Sequence, residues 1–264
     1  MMRSLYSGVS GLQAHQTMMD VVGNNIANVN TTGFKKGQVT FQDLLSQTIN
    51  DAQAGTASST GGLNGQQIGT GVRVGSINNI HTQGAPSTTG NSTDLMIQGQ
   101  GFFILQDAGG NKFYSRAGAF SMDNAGNLVN SANGMLVCDD SGDPINIDGS
   151  NINISADGTI TYNDTTGTPA TYASKIGLAT FANQEGLKKA GENMYVESNG
   201  SGAATQTTPG NNSGTLISGA LEMSNVDLAQ EFVNMIVAER GFQANSRTIR
   251  TADEMLQELI NIKR

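Results

Sequence analysis

The stretch LAQEFVNMIVAERGFQANSRTIRTADEMLQELI, residues 228–260, decides the fold at the C-terminal end of the chain. Its apolar residues recur in steps of three and four, which places them on one face of an α-helix. A seven-residue repeat from Leu228 to Leu256 favours left-handed supercoiling against another helix, with the polar Asn245 helping to fix the register. The positions of this face are Leu228, Phe232, Met235, Ala238, Phe242, Asn245, Ile249, Ala252, Leu256 and Leu259.

The start of the chain predicts a second amphipathic helix, over about residues 2–30. The same spacing recurs there, with one gap at Gln16. A helix with one unpartnered apolar face is not stable by itself. The sequence therefore predicts that the terminal helices pair as a coiled coil, with each other or with other copies of the chain. The apolar positions of the first helix are Leu5, Val9, Leu12, Met19, Val22, Ile26 and Val29.

Capping signals predict the helix ends. The sequence SNVD offers Ser224 as a cap with Asp227 three residues later, so the C-terminal helix is expected to begin close to Asn225. Lys263 and Arg264 suit the negative pole in its last turn.

The first helix is expected to stop within VVGNNIANVNTTGFKKGQVTF, residues 21–41. Asn24 and Asn25 are placed in its last turns. Asn28 and Asn30 are expected in cap or left-handed positions, because asparagine favours both. Together with Gly33 they make the exit from the helix.

Short β-like runs separated by turn clusters fill the middle of the chain, so the sequence predicts an all-β domain there. Segments rich in Gly, Ser, Thr, Ala and Gln on either side of it indicate flexible linkers. The predicted fold class is α+β. The predicted parts are 1–33 (first helix), 34–71 (connecting segment, with a loose stretch at 50–70), 72–196 (β domain), 197–220 (return linker) and 221–264 (last helix).

The inventory of reactive residues argues against an enzyme. The chain has two histidines, His15 and His81, and it lacks a nucleophile elbow, a phosphate-binding loop and a histidine pair at metal spacing. The Asp-rich turns lack the ligand spacing of a calcium loop. Cys138 is the single cysteine of the chain, so an internal disulfide framework is excluded. Its thiol is expected to be buried and inert. The sequence predicts no catalytic residue, no cofactor and no metal.

Charge and hydropathy limit the partners. The net charge of -8, with thirteen acidic against six basic side chains in residues 51–220, argues against nucleic-acid binding. Membrane insertion is not expected, because no stretch approaches the roughly 18 apolar residues of a membrane span. The start of the chain also lacks the apolar core of a secretory signal, so export would have to use a route without a cleaved leader.

Several segments resemble the bacterial flagellar rod and hook proteins. NNIANVNTTGFKK (24–36) is similar to the N-terminal signature of that family, and residues 221–264 are similar to its C-terminal signature. DLMIQGQGFFIL (94–105) and YSRAGAFSMDNAGNLVNSANGMLV (114–137) resemble motifs of its β domain. The resemblance covers nearly the whole chain apart from the two linkers.

The resemblance implies an axial subunit that polymerises with copies of itself. It implies an inner coiled-coil domain around a central channel, an outer β domain, and export through the flagellar type III apparatus. The implied neighbours are rod proteins, the hook cap and the hook–filament junction. The helix pattern then predicts the assembly interface as Leu5, Val9, Leu12, Met19, Val22, Ile26, Leu228, Phe232, Met235, Phe242, Asn245, Ile249, Leu256 and Leu259.

Within the family, the terminal segments resemble compact hook proteins, so the first expectation is the hook, the universal joint that passes torque to the filament. The length of the chain favours the alternative, the distal rod of the basal body, a rigid drive shaft. A secreted β-rich adhesin is a third alternative, which would leave the terminal heptads unexplained. The expected location is the flagellar hook or basal body.

Overall fold

The computed structural model describes residues 2–53, 61–164 and 167–262, with a long helix at each end of the chain. Helix α1 spans Met2–Ala27 and helix α2 spans Leu228–Ile262. Strands dominate the chain between them, which confirms the α+β class. The strands are β1 Gly37–Asp43, β2 Ser46–Asn50, β3 Gln66–Gly69, β4 Val72–Asn79, β5 Pro86–Thr88, β6 Leu95–Gln98, β7 Phe102–Gln106, β8 Lys112–Ser115, β9 Phe120–Met122, β10 Leu128–Asn130, β11 Leu136–Val137, β12 Gly149–Ile154, β13 Thr159–Asp164, β14 Pro169–Lys175, β15 Leu178–Thr180, β16 Lys188–Gly191, β17 Met194–Val196, β18 Thr205–Thr207, β19 Thr215–Ser218 and β20 Ala220–Glu222.

The chain divides into two compact units. The helical unit comprises residues 2–27, 37–53, 61–78 and 227–262, and the β unit comprises residues 28–36, 79–164 and 167–226. The segment 28–36, which we call the exit segment, therefore belongs to the β unit although it lies between α1 and β1 in the sequence.

In the helical unit, α1 and α2 pack against each other in opposite directions. Gly8 lies beside Ile249, and Gly241 lies beside His15. The unit also contains two pairs of strands, β1 with β4 and the antiparallel pair β2 with β3.

The predicted start of α2 is wrong by about one turn. The backbone N–H groups of Ala229 and Gln230 donate to Oδ1 of Asp227 at 2.9 and 3.4 Å, so Asp227 is the cap and the helix begins at Leu228 rather than near Asn225. A carboxylate satisfies these N–H groups and also meets the positive end of the helix. Ser224 is not the cap. Its buried hydroxyl makes no hydrogen bond within the described residues. The last-turn cations, Lys263 and Arg264, lie outside those residues.

The exit from α1 does not use a left-handed asparagine. Asn25 lies in the last turn as expected, and Asn28 directly follows the last helical residue, Ala27, where a cap is predicted. Neither Asn28 nor Asn30 has a positive φ. The chain leaves through a turn closed by Thr31 N–H donating to Asn28 O at 3.2 Å, which requires no left-handed residue. Gly33 takes the left-handed conformation instead, with φ +69°, and a Cβ there would lie 2.5 Å from the backbone nitrogen of Ala117.

The β unit contains one large sheet and several small ones. The order of the large sheet is β16-β17-β8-β7-β11-β10-β9, with β15 pairing β7 and β18. Strands β12, β13 and β14 form a three-stranded sheet, β19 pairs β6, and β20 pairs β5. The pairs with known register in these sheets are antiparallel.

Strand β7 positions the core because both of its faces are buried. Phe103 and Leu105 enter one hydrophobic cluster, and Phe102 and Ile104 enter another. This arrangement explains why FFIL reads as a continuous apolar run rather than an alternating one. Gly126 lies in the turn DNAGN, residues 123–127, between β9 and β10, and its φ of +82° is one that glycine readily adopts.

The predicted linkers contain regular structure. Strands β18, β19 and β20 fall within or at the end of the expected return linker 197–220, and each pairs with a strand of the β unit. The connecting segment 34–71 contains β1, β2 and β3. Apart from β1, these strands are only three to five residues long, which is too short to show a clear apolar alternation. Part of the loose stretch expected at 50–70, residues 54–60, lies outside the described residues.

Candidate assembly surface

Small residues line the contact between the two helices. The buried helical positions are Gly8, Gly11, Ala14, Val22, Asn25, Glu231, Ala238 and Ala252. Of the predicted interface residues, only Val22 is among them. The helices within one chain therefore approach through glycine and alanine, and larger apolar side chains lie beside this contact.

Three glycines accommodate a large side chain from the opposite helix. A Cβ added at Gly11 would lie 2.5 Å from Nδ2 of Asn245, and one at Gly241 would lie 2.5 Å from ring atoms of His15. At Gly8 the corresponding distance to Ile249 is 3.0 Å. These fits fix the register of the antiparallel pair. The sequence did contain a signal for this close contact, namely glycine inside amphipathic helices. Glycine is unfavourable there by about 1 kcal/mol relative to alanine, so its presence indicates a packing reason.

A buried polar contact joins α1, α2 and β1. Nδ2 of Asn25 donates to Glu231 Oε2 at 3.2 Å and to the backbone oxygen of Gly37 at 2.8 Å. The N–H of Gly37 donates back to Asn25 Oδ1 at 2.9 Å. Both side chains are buried, so the loss of either leaves a partner unsatisfied. The amide of Asn25 thus sets the direction in which β1 starts.

The predicted interface residues differ in exposure within one chain. Leu5, Leu12, Met19, Ile26, Met235, Phe242, Asn245, Ile249 and Leu256 are half-buried. Val9, Leu228, Phe232 and Leu259 are exposed. Their assignment to contacts between copies stays a prediction.

The exposed large apolar side chains belong almost entirely to the helical unit. Four of them lie together in the first half of α2: Phe232, Val233, Ile236 and Val237, each 50–56% exposed. In the described part of the β unit, only Ile217 is in this class. Surface of this kind, concentrated in one unit, is typical of a protein interface.

Strands β2 and β3 form a second exposed feature of the helical unit. Every residue of the two strands is exposed. Leu45 and Leu63, which flank them, are 88% and 65% exposed, and Ile49 and Ile68 are exposed as well. Because a two-stranded hairpin is marginally stable in water, this hairpin needs a covering surface.

Two reactive side chains of the β unit, Cys138 and His81, are buried and half-buried respectively. Burial raises the pKa of the Cys138 thiol to about 11, and its side chain is fully buried, which agrees with an inert structural residue. The ring of His81 packs against Phe102 and Tyr195. No group of His, Cys, Asp or Glu suited to a metal ion occurs among the described residues.

Neither α1 nor α2, as far as they are described, is apolar enough over a sufficient length to cross a membrane.

Family models match three separate parts of the chain. Residues 5–35 match the flagella basal body rod protein, and residues 96–162 match the D1 domain of the flagellar hook protein FlgE/F/G. Residues 217–262 match the C-terminal region of the flagellar basal body rod FlgEFG protein. The matched parts include both helices and the centre of the β unit.

Curated relatives match from end to end. The flagellar basal-body rod protein FlgG of Bacillus subtilis is 50% identical over 268 residues, covering 100% of both chains. FlgG of Buchnera aphidicola from Acyrthosiphon pisum is 42% identical over 98% of this chain and 99% of the relative. The flagellar hook protein FlgE of Treponema pallidum is 32% identical over a 465-residue alignment that covers both chains fully. The expectation of a hook protein is thus less well supported than the rod alternative. The chain belongs to the bacterial flagellar basal-body rod and hook proteins, a family of structural proteins rather than enzymes.

Proposed function

We propose that this chain is a subunit of the distal rod of the flagellar basal body. The observation that carries the proposal is the length of the alignments. The rod relative in Bacillus subtilis aligns with this 264-residue chain over 268 residues, whereas the hook relative in Treponema pallidum requires 465. The hook relative therefore has a large insertion that this chain lacks.

The proposed mechanism is polymerisation into a helical tube through the helical unit. The side chains of Phe232, Val233, Ile236 and Val237 form an exposed apolar patch on α2, which is typical of a protein interface. We assign a second copy of the chain as the partner, because a homopolymer offers the same surface on every subunit. In such a tube the helices of neighbouring copies would complete the coiled coil that the heptads predict.

The exposed hairpin β2–β3 supplies a second contact in this proposal. Its apolar side chains Leu45, Ile49, Leu63 and Ile68 would be covered by a neighbouring subunit. Contacts of one subunit at two separate places, the α2 patch and the hairpin, would resist bending between copies. That property suits a drive shaft better than a universal joint.

The remaining partners follow from the same proposal. The subunit would travel through the flagellar type III export apparatus, and it would meet other axial proteins of the rod and hook at the ends of its segment. The helices would line the central channel. The β unit, which exposes little apolar surface among its described residues, would face outward.

Electron microscopy of basal bodies from a deletion strain tests the rod assignment. Cells that lack this chain are expected to have truncated rods and no hook, and a plasmid copy of the chain is expected to restore both. Complete rods with intact rings but no hook would assign the chain to the hook instead.

A further inference from the structure

Three segments of the β unit meet in a buried polar cluster that the sequence did not indicate. They are the exit segment 28–36, residues 79–85 and residues 220–226. At the centre, Lys35 Nζ lies 2.6 Å from Oε1 of Glu222, and both side chains are completely buried. Arg116 Nη1 approaches the other oxygen, Oε2, at 3.4 Å, and its side chain is only 2% exposed.

Backbone groups add further hydrogen bonds between the three segments. Lys35 Nζ also donates to the backbone oxygen of Thr82 at 2.7 Å. The N–H of Gly84 donates to Glu222 Oε1 at 2.9 Å. The N–H of Gly33 donates to the backbone oxygen of Glu222 at 2.8 Å. Each of the three segments is therefore bonded to the other two.

A single side chain forms a second layer of the cluster. Asn225 Oδ1 accepts from the N–H of Lys36 at 2.9 Å, and its Nδ2 donates to the backbone oxygen of Ile80 at 2.8 Å. The same Nδ2 lies 2.9 Å from Oγ1 of Thr82. The N–H of Ile80 donates to the backbone oxygen of Lys36 at 2.9 Å. Asn225 thus joins the same three segments through residues adjacent to the buried ion pairs.

The charge balance makes Glu222 the essential member. Its carboxylate faces two buried cations, and the nearby ring of His81 contributes no third charge near neutral pH, because burial lowers its pKa to about 4. Removing one partner of a buried ion pair is strongly unfavourable, since the other charge stays buried without compensation. Loss of Glu222 would leave both Lys35 and Arg116 in that state.

The cluster lies beside the points where the chain passes between the two units. Such passages occur at 27/28, 36/37, 78/79 and 226/227. The cluster binds residues on the β-unit side of the last three. We propose that the cluster of Lys35, Arg116, Glu222 and Asn225 is a clamp. It joins the three departing segments into one rigid piece of the β unit, so that a force applied to any one of them loads all three. The proposal concerns the single chain and does not depend on the rod assignment.

Hydrogen exchange of the backbone amides in the full chain tests the clamp. In Glu222→Gln, the amides of Gly33, Lys36, Ile80 and Gly84 are expected to exchange about 100-fold faster or more, because two buried cations lose their counter-ion. The amides of the large sheet, such as those of β7, are expected to be unchanged. The matched control is Asp157→Asn, which breaks the exposed Lys175–Asp157 pair of 3.0 Å and is expected to leave exchange at the clamp unaltered.

Lys35→Met is the second variant, because Glu222→Gln could prevent folding altogether. It removes one cation and retains the Glu222–Arg116 pair, so a smaller acceleration, of about 10-fold, is expected at Ile80 and Gly84. Unchanged exchange at these amides in Lys35→Met would overturn the proposal. A uniform acceleration across the whole β unit would overturn it as well, because the cluster would then be part of the general core and not a local clamp.

Discussion

Glycines at the contact between α1 and α2 fix the register of the helix pair, and a substitution at Gly241 tests this. Gly241→Ala would place a Cβ within 3 Å of His15 ring atoms, and overpacking of this kind costs about 1–3 kcal/mol. The better helix propensity of alanine offsets about 1 kcal/mol of that. We expect a net decrease in the free energy of unfolding, measured by urea denaturation of the full chain.

Gly23→Ala is the matched control for that substitution. Gly23 is also helical, but nothing lies within 4 Å of an added Cβ. The same chemical change should therefore raise the free energy of unfolding by up to about 1 kcal/mol. If both variants were stabilised alike, the close fit of Gly241 against His15 would be wrong.

The pH dependence of stability tests the environment of His81. Burial, with smaller effects of Lys35, Arg116 and Lys189, lowers its pKa from 6.5 to about 4 in the folded chain. The unfolded chain therefore binds more protons between these pH values. We expect the His81 contribution to the free energy of unfolding to be fully present above about pH 6.5 and to decrease as the pH falls towards 4.

Denaturation curves at several pH values, compared between the wild type and His81→Phe, measure this contribution. Phenylalanine suits the aromatic contacts with Phe102 and Tyr195. Identical pH profiles for the two proteins would contradict the assignment.

Among the elements, the helices and the apolar strands in the middle of the chain could be predicted, and the polar strands within the expected linkers could not. A heptad sustained along α2 gives many independent repeats of the same signal, so the existence of the helix followed directly. Its first residue did not, because Ser224 and Asp227 are both good caps and only the fold selects Asp227. Strands such as β18 contain polar residues in a three-residue run, too little for a periodic pattern. The clamp could not be predicted from the sequence, because it joins Lys35, Arg116 and Glu222 from distant parts of the chain.

The apolar patch of α2 provides a prediction at the level of the element. Ile236 is 56% exposed, so Ile236→Asp should leave the single chain folded. In a polymer it would bury a carboxylate without a partner, and assembly should be lost. Circular dichroism measures folding, and motility with electron microscopy of basal bodies measures assembly. Ala244→Asp places the same side chain at an exposed alanine of the same helix and should assemble normally. Normal rods in cells with Ile236→Asp would remove the patch from the interface.

At the scale of the whole molecule, the two units have different surfaces. Exposed large apolar side chains lie in the helical unit, while the β unit, in its described part, contributes only Ile217. A subunit built in this way is expected to join its neighbours through the helical unit and to present a polar β unit. The end-to-end match to rod proteins is consistent with such a subunit.

Helical reconstruction of the polymer in purified basal bodies by electron cryomicroscopy tests this central claim most directly. We predict that Phe232, Val233, Ile236 and Val237 are buried between copies of the chain and that the β2–β3 hairpin packs on a neighbouring subunit. A map in which these α2 side chains face water, with the subunits held together through their β units, would contradict it.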